Sequence, residues 1–297
     1  MAYRRVYCEL SWFMKLIEAV VYGSLLGGAY AVIGIGMSLT LGVMEVMNIA
    51  HGEIILLSSY LAYQLLLLLG MDPLLSAIPL SLFLLTLGFF LQKYCLSRAL
   101  KYSVEMFVIT TLAISTILEN VYLLIWSPMQ KALITGYLLW SCEVGGIKVP
   151  FVFLLDFFVS IAVLVTLREF LKKTYLGMAI RASSEDWKIA QLMGINTDNI
   201  RALTLGLAFL TAGIAGVLIG LTYPFSPSIG KSYMVIAFGI VVLGGLGSMI
   251  GTFIGGLIIG LVQVLTATFF DPAWQLFASY LVIFIILALR PKGVLGR

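Results

Sequence analysis

Residues 232–270 read SYMVIAFGIVVLGGLGSMIGTFIGGLIIGLVQVLTATFF, without a single charged side chain. As one helix rising about 1.5 Å per residue, this run would be roughly 58 Å long. That is nearly twice the hydrocarbon core of a bilayer, which is about 30 Å thick. The run must therefore turn back or break, and Gly244-Gly245-Leu246-Gly247 is the natural place for it.

The composition of the whole chain indicates a membrane protein. Hydrophobic residues make up 61% of the 297 positions, charged residues only 11%, and the mean hydropathy is +1.09. A soluble chain would have about a quarter of its residues charged, so lipid must be the solvent. The sequence predicts an all-α polytopic membrane protein with about eight transmembrane helices, or eight to ten if glycine-rich segments are broken. Besides 232–270, the apolar runs are 19–44, 54–71, 73–92, 106–118 (continued through 119–126), 157–167 (preceded by 149–155), 202–230 and 272–289.

The basic residues predict the orientation, because cytoplasmic loops are rich in lysine and arginine. Arg4, Arg5 and Lys15 favour a cytoplasmic N-terminus, which requires an even number of spans before Lys93, whereas a simple count gives three. Either the run 19–44 contains two crossings or the N-terminus lies outside. Three clusters hold twelve of the 18 basic residues and are predicted to be cytoplasmic: Lys93, Arg98, Lys101; Arg168, Lys172, Lys173, Arg181, Lys188, Arg201; Arg290, Lys292, Arg297.

The domain organisation is simple. Residues 1–15 are predicted to be an N-terminal extension, and 16–297 a single transmembrane domain whose longest polar segment is 168–201. The apolar run that starts at Ala19 is too long for a signal peptide, so we expect a retained first span.

Several kinds of chemistry are not supported. The basic residues form no continuous patch for nucleic acid, and Gly230-Lys231-Ser232 lacks the leading glycine of a phosphate-binding loop, since Phe225 stands there. A single histidine, His51, supports neither a metal site nor a proton relay. We expect no metal, no cofactor and no enzymatic activity, with an intramembrane enzyme as the weaker alternative. The three cysteines are far apart and predict neither a disulfide nor a zinc site: Cys8, Cys95 and Cys142.

Two polar clusters within apolar runs are candidates for a substrate pathway, because ionisable groups at membrane depth usually face a cavity or mark a route. The first lies in residues 42–53 and is either a solvated interfacial turn or a helix break that borders the route of a polar solute. The second lies at residues 119–120 and either borders the route or pairs with another helix. The candidate pathway residues are Asn48, His51, Glu53, Glu119 and Asn120, with Glu45 in the same segment.

The segment 177–196 is predicted to contain a short amphipathic helix between two spans. Ser183 or Ser184 is expected to cap it, and Gly194 to end it. Such a helix suits docking in the groove of a partner, or alternatively lies on lipid. Its apolar face would consist of Ile189, Leu192 and Met193.

Glycines at a spacing of four are typical of close helix contact in membranes. They serve packing within one subunit or, alternatively, line a pathway or a dimer interface, and a branched side chain at Gly251 should damage assembly in either case. The residues concerned are Gly216, Gly220, Gly247, Gly251 and Gly255.

From about Leu16 to its end, the chain resembles the LivH-type permeases of branched-chain amino acid ABC importers. The resemblance rests on several motifs in the right order: 48–53 (NIAHGE), 177–182 (GMAIRA), 190–196 (AQLMGIN), 212–216 (AGIAG), 242–248 (VLGGLGS) and 290–293 (RPKG). It implies a permease in a prokaryotic plasma (inner) membrane. The implied partners are a second, LivM-like permease chain, two cytoplasmic ATPase subunits that bind the ATP, and an extracytoplasmic amino-acid-binding protein, with lipid around the spans.

The resemblance also implies that 177–196 is the loop that couples ATP hydrolysis to alternating access. Trp187 and Lys188 follow Asp186, where relatives often carry proline after the aspartate, and this departure puts the start of the coupling helix in doubt. A permease of the same family for urea, short amides or another amino acid is the alternative, and an ATP-independent channel or secondary carrier a more distant one. The coupling residues implied are Arg181, Glu185, Asp186, Ala190, Gly194 and Asn196.

Overall fold

The computed structural model describes residues 2–144, 147–290 and 293–295 of the chain, with side chains from Trp12 onward except at 13 and 144. Lys292 and Arg297, two of the clustered basic residues, lie outside that range. The helices are α1 Ala2–Met44, α2 His51–Leu69, α3 Pro73–Leu91, α4 Ser97–Tyr102, α5 Val104–Trp126, α6 Phe151–Lys173, α7 Tyr175–Glu185, α8 Trp187–Leu192, α9 Thr197–Thr222, α10 Gly230–Gly244, α11 Met249–Phe269 and α12 Gln275–Leu289. A short antiparallel hairpin, β1 Ser141–Val144 and β2 Ile147–Pro150, lies in the connection between α5 and α6.

Nine helical segments of the described chain are long and apolar enough to cross a membrane. The all-α polytopic fold is confirmed, and the count lies within the predicted eight to ten. The predicted break in the run 232–270 is also confirmed, because α10 ends at Gly244 and α11 begins at Met249. Gly245 and Gly247 adopt φ angles of +103° and +75°, which a residue with a side chain rarely adopts.

The first helix decides between the two alternatives for the run 19–44. The run is one unbroken helix, antiparallel to α11, with Gly27 against Leu257 and Gly42 against Gly247. The alternative of two crossings within this run is therefore wrong. Three spans precede Lys93, and the N-terminal end of α1 lies on the face opposite the clustered basic residues. Which of the two faces is cytoplasmic stays a prediction from the positions of the basic residues.

The centre of the bundle is built around α1 and α9, and α12 lies at its edge. Small residues on α9 let its neighbours approach closely. Backbone carbonyl oxygens on the surface of α9 then accept hydrogen bonds from side chains of those neighbours. The hydroxyl of Ser58 donates to the carbonyl of Gly213 and that of Ser59 to the carbonyl of Gly216, each at 2.7 Å. Nearby, the ring of Tyr60 stacks on Tyr122 and Trp126 and contacts the edge of Phe225.

Two helices begin inside the bundle. His51, the first residue of α2, lies beside Ile33 of α1, roughly 16 Å along that helix from its end at Met44. Gly230, the first residue of α10, lies against Gly52 so closely that a side chain on Gly52 would collide with the Gly230 carbonyl. The start of α2 and the start of α10 therefore meet in the interior, which brings their polar residues together.

Candidate functional site

The segment between α1 and α2 is exposed at Glu45 and becomes buried toward the start of α2. Asn48, His51 and Glu53 are each about 1% exposed. The Asn48 Oδ1 atom accepts a hydrogen bond from the Ala50 amide at 3.0 Å, and the Ile49 amide donates to the Thr111 hydroxyl at 3.3 Å. A solvated turn therefore fits only Glu45, whereas neighbouring helices cover Asn48, His51 and Glu53.

His51 joins α2 to α1. Its Nε2 atom lies 3.1 Å from the carbonyl oxygen of Ile33, and a Cβ added to Gly36 would lie 3.1 Å from its Cε1 atom. Asn48, His51 and Glu53 line neither the cavity between α1, α9, α10 and α11 nor the one between α1, α6 and α7. Their place on the solute route therefore stays a prediction. The contacts of His51 indicate a structural role, in which its side chain links α2 to α1.

Glu53 is the most unusual of these residues. Both of its carboxyl oxygens are buried without a hydrogen-bond partner in the described chain. A Cβ added to Gly230 would lie 2.5 Å from the Glu53 carboxyl carbon, so the absence of a side chain there makes room for this group. The backbone carbonyl of Glu53 accepts a hydrogen bond from the Tyr122 hydroxyl at 2.8 Å.

Glu53 has no ion pair among the described residues, but its carboxyl packs against Gly230, the residue that precedes Lys231 on α10. Lys231 Nζ lies 2.7 Å from Glu119 Oε2, so Glu119 pairs with another helix, as one of the two alternatives predicted. Asn120 is separate from this group, because it is exposed on α5 and its amide donates to the carbonyl of Thr116 on the same helix at 2.7 Å. We call Glu53, Glu119 and Lys231 the charged cluster.

A cavity of about 310 Å³ lies between α1, α9, α10 and α11, toward the face opposite the clustered basic residues. The Tyr30 hydroxyl donates to Gln263 Oε1 at 2.6 Å, and Gln263 Nε2 is buried without a partner in the described chain. The lining of the cavity contains both polar and apolar side chains. We call it the outer cavity; its polar lining is Tyr30, Gln130, Thr222, Tyr223, Ser232, Tyr233, Gln263 and Gln275, and its apolar lining includes Leu26, Ile219, Ile229, Ile236 and Leu276.

Behind the wall of the outer cavity lies an acid. Asp156 Oδ2 accepts a hydrogen bond from the Thr222 hydroxyl at 2.6 Å, and Asp156 Oδ1 is buried without a partner in the described chain. Burial, with a smaller contribution from Asp156, raises the pKa of Tyr223 to about 12, so this hydroxyl remains a neutral donor. Cavities of this size lie at the lower end of those that hold small molecules.

Sequence reasoning missed the outer cavity. Its residues come from helices far apart in the chain, and neither Tyr30 nor Tyr233 stands out in an apolar run. Gln263 carried a signal that could have been used, because it is the one amide side chain in residues 249–270. Asp156 carried another, as a single acid between two predicted halves of one span.

The polar segment between α6 and α9 folds into two short helices. Thr174 caps α7, and Asp186 caps α8 by accepting from the amides of Lys188 and Ile189 at 2.8 and 3.1 Å. The prediction that Ser183 or Ser184 caps the short helix is wrong, because both lie within α7, where the Ser184 hydroxyl donates to the carbonyl of Arg181. Glu185 is exposed at the end of α7.

The second of these helices presents an apolar surface. Ile189, Leu192 and Met193 are 59%, 86% and 79% exposed, while Ala190 faces inward and is 4% exposed. Gly194 follows with a φ of +86°, a conformation that favours glycine. We call Ile189, Leu192 and Met193 the α8 apolar face.

Two side chains hold the α8 segment to its neighbours. The Arg181 guanidinium donates to the carbonyl of Lys172 at 3.4 Å, which ties α7 to the end of α6. Asn196 caps α9 by accepting from the amide of Asn199 at 3.1 Å. The α8 apolar face is thus held between two spans by defined capping contacts.

The glycines singled out from the sequence each contact another part of this chain. A Cβ on Gly216 would collide with the carbonyl of Ile55, and Gly220 lies beside Leu133 and Phe225. Close contacts of the other three join α1, α10 and α11: Gly247 with Gly42, Gly251 with Gly244, and Gly255 with the carbonyl of Ile240.

The sequence of the chain is similar to those of known transport proteins. Residues 19–287 match the family model described as branched-chain amino acid transport system / permease component. The chain is 31% identical to the high-affinity branched-chain amino acid transport system permease protein BraD of Pseudomonas aeruginosa, over 95% of this chain and 96% of the relative. It is 29% identical to the corresponding protein LivH of Salmonella typhimurium, over 96% and 97%. It is 30% identical to a probable branched-chain amino acid transport permease protein LivH of Methanocaldococcus jannaschii, over 97% and 94%. No solved structure matches the chain.

Proposed function

Because the chain belongs to the family of branched-chain amino acid transport permease components, we propose that it is the membrane-spanning permease subunit of an ABC importer for leucine, isoleucine and valine. Its relatives are named as permeases of high-affinity systems for these solutes. It works with two cytoplasmic ATPase subunits, a second permease chain and an extracytoplasmic binding protein. It moves the solute by alternating access in a prokaryotic plasma (inner) membrane.

The observation that carries this proposal is the α8 apolar face. A six-residue helix held between two spans leaves three large apolar side chains toward the cytoplasm, where exposed apolar groups are costly unless a partner covers them. A groove on an ATPase subunit is the partner that fits a short helix of this kind. Closure of the ATPase pair on binding ATP would then push on α7 and α8 and so on the spans that flank them.

The outer cavity supports the assignment of the solute. Neutral donors such as the amide of Gln263 suit the carboxylate of an amino acid, and Asp156 behind Thr222 suits its ammonium group. The apolar lining of the cavity suits a branched aliphatic side chain. Urea or a short amide would leave that apolar surface unused.

The experiment measures leucine uptake by vesicles that carry this chain with its ATPase, second permease and binding protein. We expect uptake that requires ATP, is inhibited by isoleucine and valine, and is lost in Leu192→Asp/Met193→Asp although the permease still assembles in the membrane. Tyr102→Asp is the matched control, since Tyr102 is 84% exposed on the same face. Uptake by this chain alone under an ion gradient would overturn the proposal, and transport of urea in preference to leucine would overturn the choice of solute.

A further inference from the structure

We propose that a second, basic cavity, at the cytoplasmic end of the bundle, binds the phosphate group of an anionic phospholipid. The cavity has a volume of about 410 Å³ and lies between α1, α6, α7 and the turn before α11. Arg168, Lys172 and Arg181 line it, and no acidic side chain of the described residues does. The inference does not depend on the solute that the permease carries.

The inner wall of the cavity presents hydrogen-bond donors. The hydroxyl of Ser38, on α1, lines the cavity and is fully buried without a partner in the described chain. The α11 helix begins at the cavity, and Ser248 caps it by accepting from the amide of Gly251 at 3.1 Å. The amides of Met249 and Ile250, in the first turn, are left for an outside acceptor. A helix N-terminus, a buried hydroxyl and three cations together suit an anion with several oxygens.

The position of the cavity favours a lipid over a soluble anion. It lies where α1 and α6 end and α11 begins, at the level of the membrane surface on the cytoplasmic side. Basic cavities between helices at this level attract anionic headgroups of the cytoplasmic leaflet. Glu169, next to Arg168, does not neutralise the cavity, because its carboxylate pairs with Lys173 at 2.7 Å.

A bound headgroup would contact three elements at once. Ser38 belongs to α1, Arg168 and Lys172 to α6, and Arg181 to α7, which precedes the α8 apolar face. The phosphate would therefore hold α7 against the ends of two spans. The lipid composition of the membrane would therefore determine which headgroup contacts α7, the helix that precedes α8.

The experiment titrates the purified full chain in detergent with phosphatidylglycerol and follows the rise in melting temperature. We expect saturable stabilisation by phosphatidylglycerol, little by phosphatidylcholine, and an apparent affinity about tenfold weaker in R168Q/K172Q. R168K/K172R retains both charges and should bind like the wild type. K93Q/R98Q removes two exposed cations from the same face outside the cavity, and its affinity should stay within about twofold.

Each other result counts against the site. Equal weakening in R168Q/K172Q and K93Q/R98Q would reduce the effect to general surface charge. Equal stabilisation by inorganic phosphate at matched concentration would overturn the choice of a lipid. If R168Q/K172Q does not fold, Lys172→Gln alone, at an exposed position, must still weaken phosphatidylglycerol binding severalfold.

Discussion

The Nε2 atom of His51 lies 3.1 Å from the carbonyl oxygen of Ile33, although the two residues are in different helices. The contact fixes the first residue of α2 beside the middle of α1. Since Nδ1 of the same ring has no partner in the described chain, the Ile33 carbonyl is the acceptor that satisfies this buried side chain. Asn48 and Ala50, just before His51 in the chain, are thereby held inside the bundle.

Replacing His51 by leucine tests whether this contact is structural. We expect His51→Leu to lower the free energy of unfolding by about 1–2 kcal/mol, because the Ile33 carbonyl loses its side-chain donor, with the KM for leucine uptake unchanged. Thermal unfolding and initial uptake rates measure the two effects. A KM raised severalfold at an unchanged melting temperature would instead place His51 on the solute route.

The contact between Glu53 and Gly230 predicts a suppressor pair. Gly230→Ala should lower the melting temperature, because its methyl group displaces the Glu53 carboxyl, and adding Glu53→Ala should recover part of the loss. The coupling energy of the pair should be about 1 kcal/mol or more. Gly52→Ala is the control, since its methyl group would meet the backbone of α10 and Glu53→Ala cannot relieve that clash. Additive effects of Gly230→Ala and Glu53→Ala would contradict the contact.

The charged cluster predicts which of two substitutions destabilises the permease more. Lys231→Met should destabilise the permease more than Glu119→Gln, because it leaves the largely buried Glu119 carboxylate without its cation, whereas Glu119→Gln leaves a lysine that is more than half exposed. The yield of folded protein and the melting temperature measure the difference. Asn120→Ala, one residue away but exposed, should change stability by less than about 0.5 kcal/mol. The reverse order would show that Lys231 does not stabilise the Glu119 carboxylate.

The outer cavity predicts a change in affinity for the solute. Gln263→Leu should raise the KM for leucine about three- to tenfold, because one amide donor toward the solute is lost. Initial rates of uptake by the complete transporter measure this. Thr268→Val on the same helix is the control, since that hydroxyl donates to the backbone of its own helix. An unchanged KM in Gln263→Leu would remove the outer cavity from the solute route.

The glycines of α10 and α11 predict a loss of assembly. Gly251→Val should cost about 3 kcal/mol or more, because any side chain there meets the carbonyl of Gly244. Size-exclusion chromatography of the purified protein reports the loss of folded material. Gly136→Val, where an added side chain meets open space, should behave like the wild type. Normal assembly of Gly251→Val would show that α10 and α11 can separate without cost.

Part of the local structure followed from local rules. The break at Gly244–Gly247 was predictable because a helix of about 58 Å cannot fit the bilayer. The cap of α8 was not placed correctly, because Ser183 and Asp186 are both good caps and the sequence does not choose between them. The structure chose Asp186, since α7 continues through Ser183 and Ser184 to Glu185.

What the sequence determined by itself is the membrane class of the protein and the places of its spans, since hydrophobicity and chain length act locally. The family, too, is recognisable from motifs in their order along the chain. Only the tertiary structure decided that Glu119 and Asn120 point to different surroundings and that Glu53 meets Gly230. The tertiary structure alone shows that the Tyr30 hydroxyl donates a hydrogen bond to Gln263. Such contacts join residues far apart in the chain, and they depend on helix rotation and depth, which side-chain packing across the whole bundle sets.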